Sequence, residues 1–407
     1  MRPRSRSVSL NSPRAVAGML LPLLALSAAA CGSEDSVAGP SESGAALATA
    51  AALPAFAQIA TGAEHTCAVT RGGLIYCWGY NFFGQLGDGT TQHRLRPVLV
   101  KGGALRFRRV TAGSYHTCAE TVEAKAYCWG NDMWGQLGIG STSRASRLTP
   151  AAVVRVSVFS RVEAGFLHTC GVINGDAYCW GDNQFGQLGD LPSSGFTRNA
   201  PVRVNGGLAL KSVDPGADHT CGVTTSSRVF CWGSNSFGQL GDGTTAYRLV
   251  PTLVGGNRLF KKVSAGALHS CALGLDDKAY CWGDNFGGPI GDGTMTRRLV
   301  PQAVSGGRTY QELSAGSAQT CAFDFAKHSW CWGNNAFGAL GDGTTTTRLV
   351  PVATLGWLRY DRRPSAGSHT CAVTVGGQAY CWGNNGIGQI GDGTRINRLR
   401  PRLVGGS

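Results

Sequence analysis

The chain has 407 residues, of which 43% are hydrophobic and 15% charged, with 60 glycines, 15 cysteines and a formal charge of +13. That apolar share excludes a disordered polymer, and the glycines recur too regularly for a linker. The basic surplus is spread over the whole length, which favours acidic partners and does not form the concentrated block expected of a nucleic-acid-binding arm.

Residues 1–30 open with Arg2, Arg4, Arg6 and Arg14 and continue through the apolar run AVAGMLLPLLALSAAA to Ala28, Ala29 and Ala30. The pattern predicts a cleaved secretory signal, too short and wrongly flanked for a membrane span. Cys31 directly after those alanines is similar to the lipobox of bacterial lipoproteins, with Ala28 where leucine is usual. That resemblance implies acylation of Cys31 and a membrane anchor, with simple secretion or release to the periplasm as the alternative. Gly32 and Ser33 stand where an inner-membrane retention signal would place aspartate, so the outer membrane is expected. Residues 31–55, rich in Ala, Ser and Gly, read as the lipidated cysteine followed by a flexible tether.

From residue 56 onward one unit of about fifty residues returns seven times. Each copy carries a cysteine pair: Cys67 with Cys77, Cys118 with Cys128, Cys170 with Cys179, Cys221 with Cys231, Cys271 with Cys281, Cys321 with Cys331 and Cys371 with Cys381. If each pair faces across a hairpin, the turn lies midway, at Gly72 in the first unit and Gly376 in the last. Unit three is one residue shorter, and its midpoint falls on Asn174-Gly175, the pair that two-residue type I′ turns prefer. The spacing therefore predicts seven local disulfides and an oxidising compartment.

Short strands at turn-bounded intervals predict an all-β array, expected in the order Pro-led segment, AGxxHTCAV, AYCWG and GQLGDG. Seven four-stranded units fit a seven-bladed β-propeller with repeats near 56–96, 97–149, 150–200, 201–250, 251–300, 301–350 and 351–400. The first unit lacks a Pro-led strand before it, and residues 401–406 supply one with no hairpin after it. Pairing of this C-terminal strand with the first blade is the expected closure.

The units YCWGxNxxGQLGDGT, RLVPxxV and AGxxHTCAV resemble the repeats of the regulator of chromosome condensation family over residues 56 to about 406. The resemblance implies a seven-bladed propeller and a habit of binding other macromolecules. Guanine-nucleotide exchange and inhibition of β-lactamases are both represented among such propellers. The export signal speaks against exchange and leaves inhibition of an exported enzyme as an alternative to a surface scaffold. Carbohydrate binding or turnover at the central channel is a further alternative.

No enzyme, cofactor or metal signature is present: there is no GxSxG, P-loop or HExxH. His65, His116, His168, His219, His269 and His369 each precede a cysteine by two residues, but Gln319 replaces histidine in unit six without loss of its cysteines, which argues against zinc. The GDGT turns lack the ligand series of a calcium loop. Trp78, Trp129, Trp180, Trp232, Trp282, Trp332 and Trp382 all belong to CWG and read as inter-blade core. Arg94, Arg147, Arg198, Arg248, Arg298, Arg348 and Arg398 stand three residues before the prolines. They form either an anion-binding collar or local braces to Asp88, Asp190, Asp242, Asp292, Asp342 and Asp392.

Function is sought where repetition breaks. Units two and three have longer loops, and the residue before the NxFG aromatic varies as Phe82, Met133, Gln184, Ser236, Phe286, Ala336 and Gly386. Phe82, Met133, Trp134 and Phe286, flanked by Arg144, are the candidate anchors for an unidentified protein partner of a monomeric propeller.

Overall fold

The computed structural model describes residues 53–154, 158–191, 196–361 and 364–406. The signal segment 1–30, Cys31 and most of the tether lie outside the described residues. In the first blade β1 (Phe56–Thr61), β2 (His65–Thr70), β3 (Ile75–Gly79) and β4 (Arg94–Leu99) pair antiparallel in sequence order. Six further sheets repeat this order over 107–152, 161–203, 210–253, 260–303, 312–353 and 365–403, and no helix occurs among the described residues. The chain is thus an all-β, seven-bladed propeller of four-stranded blades.

Local chemistry explains each hairpin between the second and third strands. In the register of the seven blades Cys67 faces Cys77, Cys118 faces Cys128, Cys170 faces Cys179, and Cys221 faces Cys231. Likewise Cys271 faces Cys281, Cys321 faces Cys331, and Cys371 faces Cys381. All seven pairs are bridged as the spacing predicts, with Cα atoms 4.0–4.1 Å apart. Asn174 and Gly175 both have positive φ, as a type I′ turn requires. In the longer hairpins the left-handed residue is not the midpoint Gly72 or Gly376 but its successor, Gly73 or Gly377. A three-residue loop built on a type I turn places its left-handed residue last. Ala124, Ser227, Asp277 and Lys327 occupy that position in other blades.

The Pro-led segment does not begin a blade. It is the fourth strand of the blade whose CWG precedes it, and GQLGDG forms consecutive turns rather than a strand. The pairing runs from Cys77–Val98 to Gly79–Arg94, leaving Pro97 in the irregular stretch where the ladder asks for no N–H donor.

Closure differs from expectation for the same reason. The last strand, Arg398–Leu403, pairs with Ala379–Gly383 of its own blade rather than with the first blade. The first blade is already complete, because FAQIAT supplies its innermost strand. The ring closes through a seam of side chains and loops instead. Trp78 Nε1 and Thr66 Oγ1 both donate to the Gln389 carbonyl, at 2.9 and 2.8 Å, and Gly393 N donates to Leu95 O at 2.9 Å. Phe56, Ile59, Ala68 and Trp78 pack there against Val373, Ala379, Ile390 and Val404.

Equivalent seams join the other blades. Trp129 and Thr117 share the Gln85 carbonyl, and Trp232 and Thr220 share that of Gln187. The seven CWG tryptophans are fully buried, the inter-blade core expected from their regularity. Each of the six histidines two residues before a cysteine reaches the next blade, as His65 Nε2 does to Thr117 Oγ1 at 2.9 Å and His219 to Ser270 at 2.8 Å. The Thr117 proton is committed to Gln85 O, so His65 must be the donor through Nε2–H. Burial holds His65, His116, His168, His219 and His369 down at about 3 and His269 at about 4, so all six are neutral seam ties. Gln319 makes the corresponding reach to Gly367 O at 2.5 Å.

Candidate functional site

In a blade of order 1-2-3-4 the first-to-second and third-to-fourth connections emerge at one end. All the AGxxH turns and NxFG loops therefore share one propeller face. Each NxFG loop is held by a small polar frame. In the first blade Asn81 Oδ1 accepts from Leu86 N, while its Nδ2 donates to Asp88 Oδ1 and Thr90 O. Asp88 Oδ1 accepts from Thr90 N and Oγ1, and Oδ2 receives Arg94 through both Nε and Nη2 at 2.9 and 2.8 Å. Burial alone would raise the Asp88 pKa, but the bonds from Thr90 and Arg94 outweigh it and hold the carboxyl below its usual range.

The same ion pair recurs as Arg198–Asp190, Arg248–Asp242, Arg298–Asp292, Arg348–Asp342 and Arg398–Asp392, at 2.6–2.8 Å. Six of the seven arginines thus brace their own loops. Arg147 is the exception, because Ile139 stands where the others have aspartate.

Blade 2 departs throughout this loop. Asp132 replaces the frame asparagine: its Oδ1 accepts from Leu137 N at 3.1 Å, and its buried Oδ2 has no partner among the described residues. Burial raises this carboxyl to about 6, against the pull of Leu137 N–H, Arg147 and Arg144. Arg144 adopts a left-handed conformation, with φ of 51°, and donates to Met133 O at 2.9 Å and to Thr197 Oγ1 of blade 3 at 2.8 Å.

The seven residues preceding the NxFG aromatic are all exposed. Phe82, Met133 and Phe286 are 63%, 56% and 80% accessible, while Trp134 is half-buried. Phe82 and Met133 occupy neighbouring blades. Phe286 sits in blade 5, three blades away by either route, so the five candidates share a face without forming one patch.

Sequence reasoning missed the aromatic cluster beside Phe82. Tyr80 stacks on His93 with centroids 4.8 Å apart, and Phe83 lies 5.4 Å from Tyr115 of blade 2 and 5.1 Å from Phe82. Half-buried Glu64 lies beside this cluster, its pKa raised by burial against the pull of His93. The signal was Tyr80 itself, an aromatic where every other unit has Asn, Asp or Ser.

The axial channel is a concave feature distinct from the loop-side pocket lined by Phe185, Leu191, Phe196 and Tyr247. Inner strands line a cavity of about 320 Å³ with Arg109, Arg161, Lys262, Glu163, Asp214 and Glu312. Its carboxylates are engaged: Arg161 Nε meets Glu163 Oε1 at 2.5 Å, Lys262 pairs with Glu312, and Asp214 accepts from Ala265 N. No cluster of metal-ligating side chains occurs among the described residues, and no described helix is long and apolar enough to cross a membrane.

Three family descriptions match the chain: an RCC1-like domain over residues 144–406, and the regulator of chromosome condensation (RCC1) repeat over 72–119 and again over 56–85. The ultraviolet-B receptor UVR8 of Arabidopsis thaliana is 33% identical over 203 residues, covering 47% of this chain and 44% of the receptor. The human E3 ubiquitin-protein ligase HERC2 is 31% identical over 199 residues, covering 47% of this chain and 4% of the ligase. The chain thus matches less than half the length of either protein. Among solved structures, human WBSCR16 superposes with a TM-score of 0.74 at 20% identity, covering 82% of this chain and 94% of that one. Yeast RCC1 (Prp20), solved with Kap60 bound, gives 0.72 at 21% identity, covering 83% and 84%. With the family matched over residues 56–119 and 144–406 and the ring of seven blades in place, the chain belongs to the regulator of chromosome condensation (RCC1) repeat family.

Proposed function

We propose that this protein is a non-enzymatic, protein-binding propeller displayed on a bacterial cell envelope. Residues 1–30 direct export, acylated Cys31 anchors the mature chain to the outer membrane, and residues 32–55 tether the propeller above it. Its partner docks on the face that carries the NxFG loops, with Phe82 on blade 1 and Met133, Trp134 and Arg144 on the neighbouring blade 2, and Phe286 as a separate contact. The observation that carries this reading is the exposure of large apolar side chains at the one loop position where the repeat varies most. The seven disulfides agree with an oxidising, extracytoplasmic setting. The family supports the binding role: yeast Prp20 has been solved with Kap60, and its binding to Gsp1p and histones has been characterised.

A site-specific photo-cross-linker at Phe82 or Met133, activated on intact cells, tests the docking face. A discrete adduct from both positions is expected, with none from Val375 on the opposite face. Equal labelling from both faces, or retention of glycan in place of protein, overturns the proposal. Labelled palmitate incorporated at Cys31 and lost in Cys31→Ser tests the anchor. Inhibition of an exported enzyme is the form this function takes if the cross-linked partner is an enzyme whose activity the propeller suppresses.

A further inference from the structure

We propose that blade 2 holds an open receptor for a carboxylate on the loop face, where an aspartate or glutamate of the partner protein takes the place that Asp88 and its counterparts fill in the other six blades. The proposal rests on the protein-binding reading above and names the chemistry of the contact.

Three observations converge. The backbone of blade 2 follows that of blade 1 up to the missing aspartate. Gly130 pairs with Arg147 as Gly79 does with Arg94, and Gly138 and Gly140 take φ of 67° and 71° where Gly87 and Gly89 take 67° and 79°. The side chain at the aspartate position offers no acceptor: Ile139 is partly buried and packs against the cluster of Leu137, Val153 and Trp180. Arg147 is exposed and has no carboxylate within ion-pair distance among the described residues, whereas each of its six counterparts does.

Charge and shape then select the occupant. In the braced blades two N–H groups of the guanidinium converge on one carboxylate oxygen, a charge-assisted contact, so the opening at Arg147 suits a carboxylate better than a neutral amide. Arg144 adds a second cation from the longer loop, and both arginines act on Asp132. Two guanidiniums against one buried carboxyl leave the site net positive. Exposed Met133, whose carbonyl Arg144 holds, supplies an apolar flank. The fitting partner segment therefore carries an acidic residue beside an apolar one.

The test uses the whole propeller, labelled with 15N-arginine, and two capped tripeptides, Ac-Leu-Glu-Phe-NH2 and Ac-Leu-Gln-Phe-NH2. The glutamate peptide should give a saturable shift of the Arg147 and Arg144 Nε–H signals and leave the six braced arginines still. The glutamine peptide should bind at least about tenfold more weakly, as expected when a charged, forked contact becomes neutral. Arg147→Lys should lose most of the binding, because a point charge replaces the fork.

Asp132→Asn combined with Ile139→Asp rebuilds the frame used by the other blades. It should keep the fold and abolish the response, since the protein's own carboxylate then occupies Arg147. Equal shifts at all seven arginines, equal binding of both peptides, or an unchanged response in the rebuilt variant overturns the proposal. The photo-cross-link at Met133 separates the two readings. If it persists undiminished in the rebuilt variant, the carboxylate receptor falls and the docking face stands; if it is absent from the wild type, the docking face falls as well.

Discussion

Blades 2 and 4 are alike at the seam and unlike at the loop. Trp129 and Trp232 each donate to the glutamine carbonyl of the preceding blade at 2.9 Å, and His116 and His219 each reach the hydroxyl of the following one. Above that shared frame blade 4 ties Asn235, Asp242, Thr244 and Arg248 into one network, while blade 2 has Asp132, Ile139 and Arg147 and no such network among the described residues. The seam varies little because a change there must suit two sheets at once. The loop pieces form a separate linked set. Once the aspartate is lost, the asparagine and the arginine that donated to it have no acceptor at that position.

The largest expected effect tests the seam as a whole. Six histidines are held neutral by burial, so the unfolded chain takes up protons below about pH 6.5 that the folded chain refuses. Stability is therefore present above that pH and is lost as pH falls from about 6.5 towards 4. Each such histidine adds up to about 1.4 kcal/mol per pH unit to the slope. Asp132 and Asp182, raised to about 6 by burial, act in the opposite sense and offset part of it. Denaturant unfolding at pH 7, 5.5 and 4.5 measures the slope. His116→Gln and His219→Gln, copying Gln319, should each lower it by one histidine's share; a difference between the two would show that the seams are not equivalent.

Next in size is the loss of a seam tryptophan. Trp129→Ala and Trp232→Ala should each cost about 3–5 kcal/mol in denaturant unfolding, the range for deleting a fully buried large aromatic. A markedly cheaper loss in blade 2 would place its divergence in the core rather than in the loop.

The smallest effect is the most specific to the loop. Asp242→Ala removes the acceptor of the Thr244 and Arg248 bonds and leaves donors unmet, for an expected cost of about 1–3 kcal/mol. Arg147→Ala removes no such bond and should change stability by less than about 0.5 kcal/mol. A substantial loss of Tm in Arg147→Ala would mean that blade 2 already has an internal partner for this guanidinium.

How much was legible beforehand varied with distance along the chain. The cysteine partners and the type I′ turn of unit three were readable because both are settled within about ten residues. The braces from arginine to aspartate span six residues, or eight in blade 3, and were likewise foreseeable, as was the exposure of Phe82, Met133 and Phe286. The change at Ile139 was visible as a missing aspartate, but only the preserved backbone around Gly138 and Gly140 and the unpaired state of Arg147 among the described residues make it an opening. The cluster of Tyr80, Phe83 and Tyr115 was not legible as a unit, since Tyr115 reaches Phe83 from the next blade.

By itself, then, the sequence determined seven blades, their disulfide hairpins and the loop positions where they differ, because a hairpin's register is set by its own turn and cross-strand pairs. Tertiary structure alone decided that the Pro-led strand folds back onto CWG, that the ring closes by packed side chains rather than a shared strand, and that Phe286 stands apart from Phe82 and Met133. A strand joined through a long connection has two sheet edges to choose from. The compact turns of GQLGDGT and the seam contacts between residues some fifty positions apart make that choice.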